Sequence, residues 1–95
     1  MGIRRAASEY GSALPGDQAL TIAGTAVACT VPTGAVSALF TNGAEPIRLR
    51  WGTPTASVGH YVNPHSVVDL YQDDLTDVKF IRVSSSSTAH ITYFG

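Results

Sequence analysis

Charge is scarce in this chain. Asp, Glu, Lys and Arg make up 14% of its 95 residues, and the formal net charge is −1. A nucleic-acid module carries a basic face. Arg4-Arg5 is too short a run to supply one, so nucleic acid is not expected among the partners. Cysteine occurs once, at Cys29, which excludes an internal disulfide and a cysteine metal cluster. No apolar run approaches the ~20 residues of a membrane-spanning helix. The N-terminus has no apolar stretch of the kind that opens a secretory signal. The expectation is a soluble protein made in the cytoplasm, with no membrane partner. Amphipathic runs of helical length are missing as well, and so is a glycine-rich phosphate loop.

What is present is neutral, β-prone sequence. Apolar residues account for 44% of the chain, an ordinary globular share. At this length a single domain buries roughly 60–65% of the surface its unfolded chain exposes. The core is therefore thin, and so much neutral surface suits contact with other proteins. The stretch Glu45-Pro46-Ile47-Arg48-Leu49-Arg50-Trp51-Gly52 is central. Its period of two places Ile47, Leu49 and Trp51 on one face and Arg48 and Arg50 on the other, the pattern of a half-buried strand. Pro46 opens the run, where a missing N–H costs least, and Gly52 closes it.

Residues 1–18 differ from the rest. Gly2, Gly11, Pro15 and Gly16 interrupt regular structure, and Arg4, Arg5, Ser8, Glu9 and Asp17 make the segment polar. The piece from Arg5 to Tyr10 is long enough for one helical turn and has no amphipathic length. This reads as an extended N-terminal arm. A frayed terminus is the simpler reading; with so little apolar content the arm is instead expected to be held by something outside its own domain, through Arg4, Arg5 and Tyr10.

From Ala19 to Gly95 short alternating runs are separated by turn signals. The runs are 19–23, 26–31, 36–41, 47–51, 60–62, 66–71, 77–82 and 88–94. In the third, Val36, Ala38 and Phe40 are expected to point inward; in the seventh, Val78 and Phe80 point one way and Lys79 the other. Pro32-Thr33-Gly34 is a strong turn. Asn42-Gly43 has the composition of a hairpin turn, lengthened by Ala44-Glu45. Asp73 to Thr76 is a polar connector with room for one helical turn. Eight strands spaced 8–12 residues apart predict an all-β fold: a small antiparallel β-sandwich, jelly-roll-like, over 19–95.

The candidate reactive groups have simpler roles. His60, His65 and His90 do not have the spacing of a zinc site, so no metal and no cofactor is expected. Asp73, Asp74 and Asp77 lack the glycine of a calcium loop and read as a solvated connector. Cys29 sits between Ala28 and Thr30 with no cationic neighbour, where a thiol is an inert packing group. Ser84 to Ser87 lack the context of an activated nucleophile. No enzyme is expected. Arg48 and Arg50 are either exposed charges that discourage edge pairing or guanidinium forks for acidic groups of a neighbouring subunit, a sugar or a phosphate. Tyr61, Tyr71, Tyr93 and Phe94 offer material for a sugar-stacking platform, though aromatics near strand ends are more often core or subunit contact.

Several of these pieces together resemble a family. Val31-Pro32-Thr33-Gly34, then Glu45 to Trp51, then Gly52 to Gly59, then Lys79-Phe80-Ile81-Arg82 and His90-Ile91-Thr92-Tyr93-Phe94, are similar to small β-proteins encoded among the structural genes of tailed bacteriophages. The resemblance covers residues 19–95. It implies a non-enzymatic virion part: a capsid decoration (cement) protein that stabilises the head through inter-subunit contacts, or a head–tail or spike-base component. The implied partners are the major capsid protein or neck and tail subunits, with further copies of the chain in a homo-oligomer, and the implied location is the virion. A carbohydrate- or host-surface-binding module is the alternative.

Overall fold

The computed structural model describes residues 12–95. Its strands are β1 (Gln18–Ile22), β2 (Val27–Ala28), β3 (Ser37–Thr41), β4 (Ile47–Trp51), β5 (His60–Val62), β6 (Val67–Tyr71), β7 (Val78–Arg82) and β8 (Ser87–Phe94), with one helical turn, α1 (Asp74–Asp77), before β7. They form two four-stranded antiparallel sheets, ordered β1-β8-β3-β6 and β2-β7-β4-β5. First strand pairs with last, second with seventh, third with sixth and fourth with fifth. The chain is thus one long hairpin centred on the β4–β5 loop, rolled so that successive pairs fall alternately into the two sheets. That path is the jelly roll; the strand spacing predicts the antiparallel sandwich, and the pairing order comes from the structure.

The sheets meet through alternate residues. Ala38 and Phe40 of β3, Ile47 and Leu49 of β4, Val78 and Phe80 of β7, and Ala89, Ile91 and Tyr93 of β8 are all buried in one cluster. Phe40 and Phe80 stack across the middle, ring centroids 4.5 Å apart. Each such ring contributes about 2–3 kcal/mol by leaving water. Leu75 of α1 plugs one end of the sandwich and is 2% exposed.

Three local expectations are corrected. Asn42-Gly43 is not a hairpin, because β3 and β4 belong to different sheets. The pair makes a crossover, and Asn42 is buried in it. Its Nδ2 donates to the carbonyls of Glu45 and Asn63, and its Oδ1 accepts from Gly43 N and Ser87 Oγ. Gly43 is required by closeness: a Cβ there would lie 2.3 Å from the Thr88 carbonyl oxygen. Val36 is 47% exposed, since β3 begins one residue later and Val36 N bonds the Phe94 carbonyl beyond the core. The run expected over 26–31 keeps only Val27 and Ala28 in the ladder, and Thr30 N turns instead to Gln18 Oε1. Pro32-Thr33-Gly34 does form a turn, with Ala35 N bonded to Pro32 O and Gly34 at φ +87. That positive φ favours glycine.

The first described residues are tied to the body. Ala13 bridges Phe94, Leu14 N donates to Tyr93 O, and Gly95 N donates to Ser12 O. Asp17 lies 2.8 Å from His90 Nε2.

Candidate functional site

The outward face of the second sheet carries the cations. Arg48 and Arg50 alternate with buried Ile47 and Leu49 on β4, and Lys79 alternates with Val78 and Phe80 on β7. Register then sets the rows. Arg48 lies between Ile81 and Tyr61, while Arg50 lies directly opposite Lys79. Arg82 of β7 lies opposite buried Ile47, on the other parity from Lys79, and its Nη1 donates to Ser86 Oγ. All four Lys and Arg side chains of the described residues thus belong to two adjacent strands. None of them is within ion-pairing distance of a described carboxylate.

The two arginines have different tasks. Arg48 Nε donates to Ala56 O at 2.9 Å and Nη1 to Gly59 O at 3.1 Å, and its guanidinium lies 5.4 Å from the Tyr61 ring centre. Its donors are spent on the β4–β5 loop, which it holds against the sheet beside buried Pro54. Arg50 makes one 3.3 Å bond to Thr53 O and is exposed. Arg50 and Lys79 are therefore the cationic pair available to a partner. Arg4, Arg5 and Tyr10 lie outside the described residues.

Trp51 corrects the reading of β4. It was expected in the core with Ile47 and Leu49, yet it is 55% exposed. The reason is position: β4 ends at this residue, and the indole lies beside α1 at the end of the strand. Trp51 Nε1 donates to Asp74 Oδ1 at 2.9 Å, and Asp74 Oδ2 accepts from Tyr71 N. One carboxylate thereby links a strand of each sheet. His60 lies edge-on to the indole, 6.0 Å between ring centres.

The remaining candidates are dispersed. His60 is on β5, His90 on β8, and His65 in the β5–β6 turn at φ +62. Among the described residues no group of three or more His, Cys, Asp or Glu is placed to hold a metal ion. Tyr93 and Phe94 are buried, while Tyr61 and Tyr71 belong to different sheets, so the four aromatics form no common platform. The Tyr93 hydroxyl donates to Gln18 Oε1 at 2.6 Å. Burial pushes the Cys29 thiol above its ordinary range, opposed by a hydrogen bond with Tyr93. Burial also raises Tyr93, with the Cys29 charge adding to it. A thiol held protonated is a poor nucleophile.

Sequence reasoning placed Lys79 outward but could not see that it faces Arg50, because that depends on register. The Trp51–Asp74 link was equally hidden, having no local signal. Searches of protein-family models, of curated proteins and of solved structures find no match to this chain.

Proposed function

We propose that this chain is a non-enzymatic virion structural protein, a decoration subunit that binds the head of a tailed bacteriophage and stabilises it through contacts with the capsid protein and with further copies of itself. The observation that carries the reading is the Arg50–Lys79 pair. Like charges directly opposite on a sheet are destabilising, and no described carboxylate relieves these two. An acidic patch on a partner would turn that local cost into binding energy and set the orientation of docking. A rigid rolled sandwich with a neutral surface suits repetition over a lattice, where many modest contacts add.

The test is co-sedimentation with heads from the encoding phage that lack the protein. Wild type is expected to bind, and Arg50→Glu/Lys79→Glu to bind at least about tenfold more weakly, a loss of about 1.4 kcal/mol. Failure of the wild type to bind would overturn the virion reading. Equal binding by the double variant would remove the cationic pair from it.

Exposure of Trp51 favours a second reading, a carbohydrate- or host-surface-binding module, since a half-exposed indole beside His60 offers a ring for sugar stacking. Titration with oligosaccharides distinguishes the two: saturable quenching of Trp51 fluorescence, together with calorimetric binding that Trp51→Ala abolishes, supports the glycan reading.

A further inference from the structure

The chain has two asparagines, Asn42 before Gly43 and Asn63 before Pro64. An asparagine followed by glycine carries a reaction of its own. The backbone nitrogen of the next residue gives up its proton to a solvent base and attacks the side-chain Cγ. The N–Cγ bond forms, the Cγ–Nδ2 bond breaks, and Nδ2 leaves as ammonia with a proton from water. Water then opens the five-membered imide at either carbonyl, giving aspartate or isoaspartate. The sum is amide plus water to acid plus ammonia. Glycine favours the attack because it has no Cβ to hinder it and its backbone turns freely. Proline has no N–H to give up, so Asn63 is closed to this route.

In the folded chain every participant at Asn42 is held. The residue is 2% exposed, which keeps base and water away. Gly43 N donates to Asn42 Oδ1 at 2.8 Å. The nitrogen therefore meets the oxygen edge of the amide instead of the face of Cγ, and its proton is engaged. The leaving nitrogen, Nδ2, donates to Glu45 O at 2.9 Å and Asn63 O at 3.1 Å. The main chain is pinned on both sides as well: Asn42 N donates to Ser66 O at 2.8 Å, and Gly43 O accepts from His65 N at 2.9 Å. Closing the imide requires rotation between those two anchors. The products do not fit the site either. A carboxylate has only acceptors to offer, and it would face the carbonyls of Glu45 and Asn63 while carrying a buried charge. Isoaspartate lengthens the main chain by a methylene where Gly43 lies against Thr88.

We propose that Asn42 is a fold-protected hydrolysis site that makes unfolding irreversible. Water reacts there only while the β3–β4 crossover is open, and a chain converted there does not regain the sandwich. The rate in the native state is the open-state rate scaled by the fraction of time spent open. Each copy thus carries a record of the time it has spent unfolded. This inference does not depend on the virion reading.

The test uses the full-length wild-type chain under reducing conditions in one mildly alkaline buffer, with and without enough guanidinium chloride to unfold it by circular dichroism. Peptide mass spectrometry follows Asn42 and Asn63 over time. Samples from the denatured arm are returned to native buffer, and the refolded fraction is separated by size exclusion and analysed in the same way. The expected result is conversion at Asn42 at least about tenfold faster in the denatured chain, with Asn63 unchanged in both arms. The refolded yield should fall in step with conversion, and the refolded fraction should retain asparagine at position 42. Equal rates in the two arms overturn the proposal, because the fold then protects nothing. No conversion in the denatured arm overturns it, because the site is then inert. A refolded fraction as rich in aspartate and isoaspartate as the starting mixture also overturns it, because conversion then bars no return.

Discussion

Asn42 Oδ1 accepts a hydrogen bond from Ser87 Oγ at 3.0 Å, between residues 45 positions apart. Through it the β3–β4 crossover is fastened to the start of β8. The same side chain also bonds Gly43 N, Glu45 O and Asn63 O, so one amide serves three connections at one end of the sandwich. Asn42→Ala leaves these groups buried without partners, and the expected loss is about 3 kcal/mol. Urea unfolding followed by circular dichroism measures it. A loss below about 1 kcal/mol would mean that water replaces the amide.

The Phe40–Phe80 stack joins the two sheets at their centre, with ring planes 6° apart. Phe40→Ala and Phe80→Ala should each cost about 3–5 kcal/mol. A double-mutant cycle on milder Phe→Leu changes should return a coupling of about 0.5–1.5 kcal/mol. Additivity would show that the rings act only as buried volume.

Trp51 should be readily quenched by acrylamide, as befits an indole that is more than half exposed. Asp74→Ala removes the acceptor of both Trp51 Nε1 and Tyr71 N. The expected consequence is a red-shifted emission and about 1 kcal/mol of lost stability. An emission spectrum and stability unchanged by Asp74→Ala would dissolve the link between the sheets at this end.

Alkaline pH should weaken the fold through Cys29 and Tyr93. Burial holds both groups in their neutral forms and raises both pKa values. The unfolded chain ionises at ordinary values, so it loses protons that the folded chain keeps. Stability is therefore full below the ordinary thiol range and falls as pH rises above about 9, further as tyrosine begins to ionise. Cys29→Ala/Tyr93→Phe should flatten that decline in a series of melts between pH 7 and 10.5. The same burial predicts slow labelling of Cys29 by a thiol reagent at neutral pH, accelerating on unfolding.

Lys79→Glu places a carboxylate opposite Arg50. The folded protein should gain about 0.5 kcal/mol at low salt, and the gain should shrink as salt screens it. The same change is expected to weaken binding to an acidic partner. A variant that is more stable and still binds normally would show that the row is an ordinary solvated surface.

Legibility varied residue by residue. Val78, Lys79 and Phe80 fell on the faces that their alternation indicates, because a strand's in–out pattern is local. Ile47 and Leu49 did the same, but Trp51, two residues on, did not: alternation gives a direction and says nothing about where the opposite layer stops. Asn42-Gly43 misled for a related reason. Its composition is that of a tight turn, and the same two residue types also suit a buried crossover, where the amide satisfies loop carbonyls and the glycine permits close approach to Thr88. Arg48 and Arg50 looked equivalent, and only the fold of the β4–β5 loop separated a clamp from a free cation.

By itself the sequence determined the strand class, the number of strands, most of the residues that face inward, and the scarcity of charge. These are properties of neighbours along the chain, set by side-chain size, polarity and a two-residue period. Tertiary structure decided which strands pair, that Arg50 meets Lys79, and that Trp51 stands at an open end. Those follow from ladders that join residues as distant as Gln18 and Ile91, and no local pattern records which distant partner a strand will find.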